Sequence, residues 1–200
     1  MTRYLLPFCL ILICSACGTN GGDGEENGGP VDRSIYPDGP YGASQDDVME
    51  NHKLIKPVEG EDGTVVGEDF FFGADIRENA DNKLLLISSG AGWCVACQEE
   101  QPKLEAFYQN YKEKGFVILE VIFQDAQYNP GTAQDAQDWI DEFEVSFPVV
   151  AEDQEQFEIY QDPSLAPLLM LIDLDTMEII KKTSGFQESI YEALVQAELN

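Results

Sequence analysis

The strongest constraint on the fold is a set of short, almost wholly apolar runs separated by amphipathic stretches. Leu84-Leu85-Leu86-Ile87-Ser88 and Phe116-Val117-Ile118-Leu119-Glu120-Val121-Ile122-Phe123 are two of them. A strand that alternates apolar and polar residues can show one side to water, whereas a strand that is apolar at nearly every position needs cover on both faces. These two therefore read as central strands of a buried sheet. Between them a helix is predicted from about Cys94 to Glu113, with Leu104, Phe107, Tyr108 and Tyr111 at helical spacing on its core side. Pro102 lies inside it, where a missing N–H and a bulky ring should kink the helix. A second helix is predicted over Thr132 to Glu144, with Thr132 as its N-cap. A short strand at Phe147-Pro148-Val149-Val150 and a helical turn around Gln154 to Tyr160 follow. Leu168 to Ile172 and Met177 to Lys182 read as a hairpin about the Asp173 to Thr176 turn, and Glu188 to Leu199 as a closing helix. This order implies an α/β domain, a central mixed sheet with helices on both faces.

The N-terminus has a different character. Residues 1–16 read as an export signal, with Arg3 ahead of the apolar run Tyr4 to Ile13, which is too short to span a bilayer. The run ends in Cys14-Ser15-Ala16-Cys17-Gly18, which resembles the lipobox of bacterial lipoproteins; Cys14 stands where such signals usually carry Leu. That resemblance implies cleavage before Cys17, lipid attachment to its sulfur, and, with Gly18 rather than Asp next, an outer-membrane destination facing the periplasm. Gly, Asn, Asp and Glu dominate from there to Pro30, a composition that cannot bury enough surface to order itself, so residues 17–30 read as the lipid-attachment cysteine and a flexible tether. Residues 31–66 are turn-rich and are predicted to form an irregular extension, followed by the α/β domain over residues 67–200. Among the 200 residues, 38 acids against 11 bases give a net charge of −27, with no basic cluster. Nucleic acid is thereby excluded as a partner, and an anionic lipid surface would be repelled. The acids read as a solubilising face.

Five cysteines are present. If cleavage falls before Cys17, as the lipobox resemblance implies, Cys9 and Cys14 leave with the leader and Cys17 carries lipid, so the mature chain would keep one dithiol, in Trp93-Cys94-Val95-Ala96-Cys97. A single pair in an exported chain is not a disulfide framework. At the start of a helix, a Cys94 thiolate would be stabilised by unpaired N–H groups and the positive end of the helix dipole. It could then attack a disulfide, and Cys97, one turn further on, could resolve the mixed disulfide.

With these motifs in place the chain resembles the thioredoxin superfamily, and within it the exported redoxin branch of membrane-tethered thiol-disulfide oxidoreductases, over roughly Gly67 to Asn200. The strand before the loop, W-C-x-x-C at Trp93 to Cys97, the helix proline Pro102 and the proline before a main strand, Pro167, fall in the family's order. The resemblance implies a thioredoxin-like fold in which Cys94 attacks, Cys97 resolves and Trp93 shields the pair. It also implies a cis Ala166-Pro167 bond whose backbone binds an incoming polypeptide as an added strand. Its implied partners are protein disulfides or thiols and an upstream redox partner; no cofactor and no metal are called for. Two departures stand out. Ser88 occupies the place, six residues before Cys94, where thioredoxins often hold a buried acid, and the nearby Glu99 and Glu100 read as solvated helix carboxylates. Val95-Ala96 lacks the proline or histidine of well-known variants, so it does not reveal a redox potential.

Three other functions fit less well. A thiol peroxidase of this fold carries Pro and Thr ahead of a lone cysteine, and Ser88 to Gly92 supplies neither. Copper handling would pair the two cysteines with the single histidine, His52, which reads as exposed or loosely packed. A tethered binding module would not need the dithiol. Structural zinc lacks ligands, and haem attachment would need a histidine at Gln98. Asp173-Leu174-Asp175 is explained by a hairpin turn, and Trp139 and Phe70-Phe71-Phe72 by packing.

Overall fold

The computed structural model describes residues 31–154, 156–160 and 166–199, so the expected leader, Cys17 and tether lie outside it. Seven strands and three α-helices frame the described chain, with short helical turns between some of them: β1 (Lys53–Glu59), β2 (Val65–Phe71), β3 (Leu84–Ala91), α1 (Val95–Tyr111), β4 (Phe116–Gln124), α2 (Ala133–Phe143), β5 (Val149–Ala151), β6 (Leu168–Asp173), β7 (Ile179–Ser184) and α3 (Glu188–Leu199). The seven strands form one mixed sheet in the order β2-β1-β5-β4-β3-β6-β7. β4 runs parallel to β3 and β5, while β6 is antiparallel to β3 and to β7.

The apolar runs become the centre of the sheet for the reason that predicted them. Every residue of β3 is buried, because side chains alternate between two covered faces. Leu84 and Leu86, with Ile118 and Ile122 of β4, pack under α1, α2 and α3 beside Leu104, Phe107, Trp139, Tyr191 and Val195. Leu85 and Ile87, with Leu119 and Val121, face the opposite way, onto Met49, Phe70, Phe72, Phe157 and Tyr160. Full burial of one such side chain is worth about 1.5–3 kcal/mol, and both layers draw on it. Helical segments thus cover both faces, but unequally: three regular helices on one, and on the other the short turns Phe72–Arg77 and Gln156–Ile159 together with the N-terminal extension.

The expected elements are found with shifted ends. Thr132 caps α2 through a reciprocal pair of bonds: its hydroxyl accepts from Asp135 N–H at 3.2 Å, and the Asp135 carboxylate accepts from Thr132 N–H at 2.9 Å. β7 begins at Ile179 rather than Met177, because Met177 takes a left-handed conformation (φ 59°) that closes the turn. Asp173 Oδ1 accepts from the N–H groups of Asp175 and Thr176, so these acids do build the turn.

Two expectations are corrected. The stretch read as irregular holds a hairpin, β1 with β2, paired from Lys53↔Phe71 to Glu59↔Val65 and crossing the expected boundary at residue 67. His52, expected to be exposed or loosely packed, is buried, with Nε2 3.1 Å from the Tyr160 hydroxyl and its ring edge-on to Phe157. Its partner arrives from more than a hundred positions away, which local sequence does not reveal.

Arg77 ties the extension to the domain. Its guanidinium is buried and donates to the carbonyls of Arg33, Ile35 and Asp175 at 2.7, 2.8 and 2.9 Å. Arg77→Ala would leave three carbonyls without their donor and create a void, so we expect a loss of about 3 kcal/mol. A urea midpoint unchanged from that of the parent chain would contradict this.

Candidate active site

β3 ends at Ala91, and α1 begins at Val95, so Gly92, Trp93 and Cys94 form the connection. Its path is tight. A Cβ on Gly92 would sit 2.6 Å from Ala126 N and 2.9 Å from the Asp125 carbonyl carbon, backbone that has nowhere to go. Gly92 N–H instead donates to Gln124 O at 2.9 Å, seating the loop after β3 on the loop after β4.

Cys94 is the N-cap of α1, with φ −88° and ψ 92°, and its Sγ accepts from Cys97 N–H at 3.2 Å. The helix N-terminus is therefore aimed at this sulfur. Cys94 and Cys97 are joined as a disulfide with Cα atoms 5.3 Å apart. Cys97 is 1% exposed and lies with Sγ 3.8 Å from Ser89 O, while Cys94 is 5% exposed and Val95 beside it 64%. Gln98 Nε2 donates to Gly92 O at 3.0 Å and holds the connection onto the helix.

Trp93 is fixed by groups that the sequence did not single out. Its indole N–H donates to Gln124 Oε1 at 3.0 Å, and its ring stacks on Tyr128 at 5.4 Å and meets the edge of Phe123. Tyr128 is 65% exposed and takes a left-handed backbone, φ 66°. Asp125 makes that turn possible: its carboxylate accepts from the N–H groups of Gln127 and Asn129 and from the Asn129 amide. Those bonds hold the Asp125 carboxyl below its ordinary pKa.

The Ala166-Pro167 bond is cis. Leu168, next in the chain, pairs with Ser89 of β3, which sets this dipeptide beside the end of β3 that leads into the dithiol loop. Ala166 packs against the apolar cluster that contains both cysteines. Pro167 O accepts from Gly185 N–H at 2.8 Å, and Glu100 of α1 accepts from Phe186 N–H at 2.8 Å, so α1 and the loop before α3 are joined here. Glu100 is half-buried and its carboxyl is pushed up by burial; it is no solvated helix residue, unlike the exposed Glu99. Trp93, Cys94, Cys97, Ala166 and Pro167 thus share one end of the sheet, whereas Cys17 lies outside the described residues.

Beneath the dithiol is a carboxyl at Glu120, fully buried and directly across the β3–β4 ladder from Ser88. Its Oε2 accepts from Gln101 Nε2 at 3.2 Å, and the same nitrogen donates to Cys97 O at 3.0 Å. Its Oε1 is buried with no hydrogen-bond partner of good geometry among the described residues. Burial drives its pKa up to about 7, helped by the Glu100 charge and opposed by hydrogen bonding from Ser88 and Gln101. The signal was present in the sequence as one acid inside the run Phe116 to Phe123.

A folded-state pKa raised from 4.5 means that the folded chain binds this proton more tightly than the unfolded chain. The resulting stability is complete below about pH 4.5, declines as pH rises toward 7, and leaves a penalty of roughly 3 kcal/mol above it. Glu120→Gln carries no such proton, so the difference in unfolding free energy between variant and parent should move in the variant's favour by that amount from about pH 5 to about pH 8. A difference that stays constant across this range would show that Glu120 titrates normally.

The model of the family Redoxin matches residues 74–192. Over 69 residues the chain is 33% identical to the thiol-disulfide oxidoreductase ResA of Oceanobacillus iheyensis, and the match takes in 34% of this chain and 33% of that protein, about a third of the relative's length. The thioredoxin domain of a thiol-disulfide oxidoreductase from Bacteroides vulgatus is 17% identical with a TM-score of 0.53, over 78% of this chain and 98% of that one. A thiol:disulfide interchange protein from Bacteroides sp. is 18% identical with a TM-score of 0.52, over 78% and 91%. At these identities the solved structures speak to the fold, which is thioredoxin-like. The family model covers more than half of the chain, and with its cysteine pair at the head of α1 the chain belongs to the redoxin family.

Proposed function

We propose that this chain is an exported, lipid-anchored thiol-disulfide oxidoreductase that exchanges its Cys94–Cys97 pair with protein disulfides or thiols. The observation that carries the reading is the position of that pair: bonded to each other, with the Cys97 N–H directed at Cys94 Sγ across 3.2 Å at the start of α1. An N–H aimed at a sulfur stabilises the thiolate more than the thiol, which makes Cys94 the attacking and leaving sulfur.

In the reducing direction the Cys94 thiolate attacks one sulfur of a substrate disulfide, a mixed disulfide forms, and the first substrate thiolate leaves. Cys97 then attacks Cys94 Sγ, closes the internal disulfide and releases the second substrate thiolate; the oxidising direction runs the same steps backward. Trp93, stacked on the exposed Tyr128, forms one wall beside the sulfurs. Ala166 and Pro167, which lead into β6 beside them, would receive an extended substrate segment by backbone pairing. An upstream redox partner resets the pair. Lipid at Cys17, followed by the tether to residue 30, would hold the domain at the outer membrane on its periplasmic side; this part rests on the leader and the C-S-A-C-G segment.

Copper handling is disfavoured by the place of His52. It packs against Phe157 and Tyr160, members of the apolar layer on the opposite face of the sheet from the cysteines.

The full chain should catalyse reduction of insulin by dithiothreitol, and Cys94→Ser should abolish the catalysis. Cys97→Ser should accumulate a mixed disulfide between Cys94 and the substrate, visible as an adduct on a non-reducing gel. Full activity in Cys94→Ser would overturn the reading; hydrogen peroxide turnover without insulin reduction would replace it with a peroxidase.

A further inference from the structure

We infer that Glu120 is the internal proton acceptor for Cys97, supplied from β4 in place of an acid on β3. This inference rests on the thiol-disulfide exchange proposed above. Three features of the fold single out this carboxyl. Register comes first: Glu120 and Ser88 are direct partners on neighbouring strands, so both side chains point to the face that carries α1 and the cysteines. A hydroxyl at 88 leaves space that the longer Glu120 side chain enters.

The second feature is a slot shaped for that side chain. Gly90 lies on β3 two residues beyond Ser88, and a Cβ there would stand 2.4 Å from Glu120 Oε1 and 3.2 Å from the Trp139 ring. The glycine is what leaves room for the carboxyl at this depth. The third is the link to the dithiol: Gln101 Nε2 donates to both Cys97 O and Glu120 Oε2, placing the carboxyl one side chain away from the resolving cysteine. Among the described residues, Gln101 Oε1 and Glu120 Oε1 are both buried with no hydrogen-bond partner of good geometry, so each can accept a hydrogen bond from a water that carries the proton. Buried acceptors left open are uncommon, and each calls for a reason.

The groups facing Glu120 leave the role to it. From α1 come Gln101, Cys97 and the Glu100 charge, which favours a protonated neighbour; from β3 comes the Ser88 hydroxyl; the Trp139 ring of α2 meets the same slot. Glu100 itself is engaged with Phe186 N–H. With a pKa near neutrality Glu120 can both take and return a proton at working pH.

The step balances as follows. In the mixed disulfide between Cys94 and a substrate, the Cys97 thiol passes its proton through a water to the Glu120 carboxylate. The Cys97 thiolate attacks Cys94 Sγ, the Cys94–substrate S–S bond breaks, the Cys94–Cys97 bond forms, and the substrate sulfur departs with the electron pair. Glu120 later releases its proton to solvent. When the pair is reduced, the carboxylic acid returns a proton to the departing Cys97 thiolate.

The test uses oxidised glutathione as the disulfide, at concentrations where the observed rate no longer depends on it and ring closure is the step measured. Reduced full chain is mixed with it, quenched with acid, and closure is followed by mass from about pH 5 to about pH 9. The parent closure rate should rise through an inflection near neutrality. Glu120→Gln should lose that inflection and close roughly 100-fold more slowly at about pH 7.5, the lower end of what one general base contributes, while Glu120→Asp keeps a titrating group and recovers part of the rate. A purely structural role would lower thermal stability without removing the inflection. A parent profile that lacks the inflection, or a Glu120→Gln profile that retains it, overturns the inference, and the parent arm stands even if the variant fails to fold. Glutathione needs no protein-binding groove, so a Glu120-dependent closure alongside absent insulin reduction would sink the protein-substrate reading alone.

Discussion

Burial of β3 on both faces is the constraint from which the rest of the structure follows. A strand with no residue open to water must be paired on both edges and covered above and below. β4 and β6 satisfy its edges, three helices cover one side, and the extension with its two short helical turns covers the other. The chain then leaves this rigid strand and turns at once into α1. Cys94 therefore sits at a junction whose two flanks are fixed by the sheet and by the helix, and the unpaired donors of the helix start meet its sulfur.

Polar groups at this depth are few and connected. Gln101 joins Cys97 to Glu120, Gln124 joins the Trp93 indole to the end of β4, and Glu100 joins α1 to the loop that supports Pro167. Two glycines set the spacing, Gly92 by letting two loops touch through their backbones and Gly90 by clearing the slot for a carboxyl. A carboxyl here costs stability once ionised. Retaining such a group in a well-packed layer makes physical sense where a proton has to move.

Much of this is legible in the sequence alone. β3 and β4 announce themselves because their runs are almost wholly apolar, α1 because Leu104, Phe107, Tyr108 and Tyr111 fall at helical spacing, and α2 because Thr132 reads as an N-cap. The dithiol was legible from five residues. The β1–β2 hairpin was not, since Pro57 and Gly67, paired with each other across it, dilute the strand pattern. β1 tolerates that proline because its ladder pairing with β5 is confined to Ile55↔Ala151. His52 and Tyr128 were misjudged or overlooked for a related reason: a ring partner distant in sequence and a left-handed tyrosine leave no local mark. Glu120 was visible as an acid in an apolar run, but its relation to Ser88 exists only in the register between two strands.

The central claim is that Cys94 and Cys97 form a redox couple in the folded protein. The most direct measurement is alkylation followed by mass analysis of the full chain after equilibration in a series of glutathione buffers from reducing to oxidising. The account predicts that the two sulfurs gain and lose their adducts together as the buffer changes, while the fold persists. A folded chain whose adducts at these two positions stay the same in every buffer would contradict it.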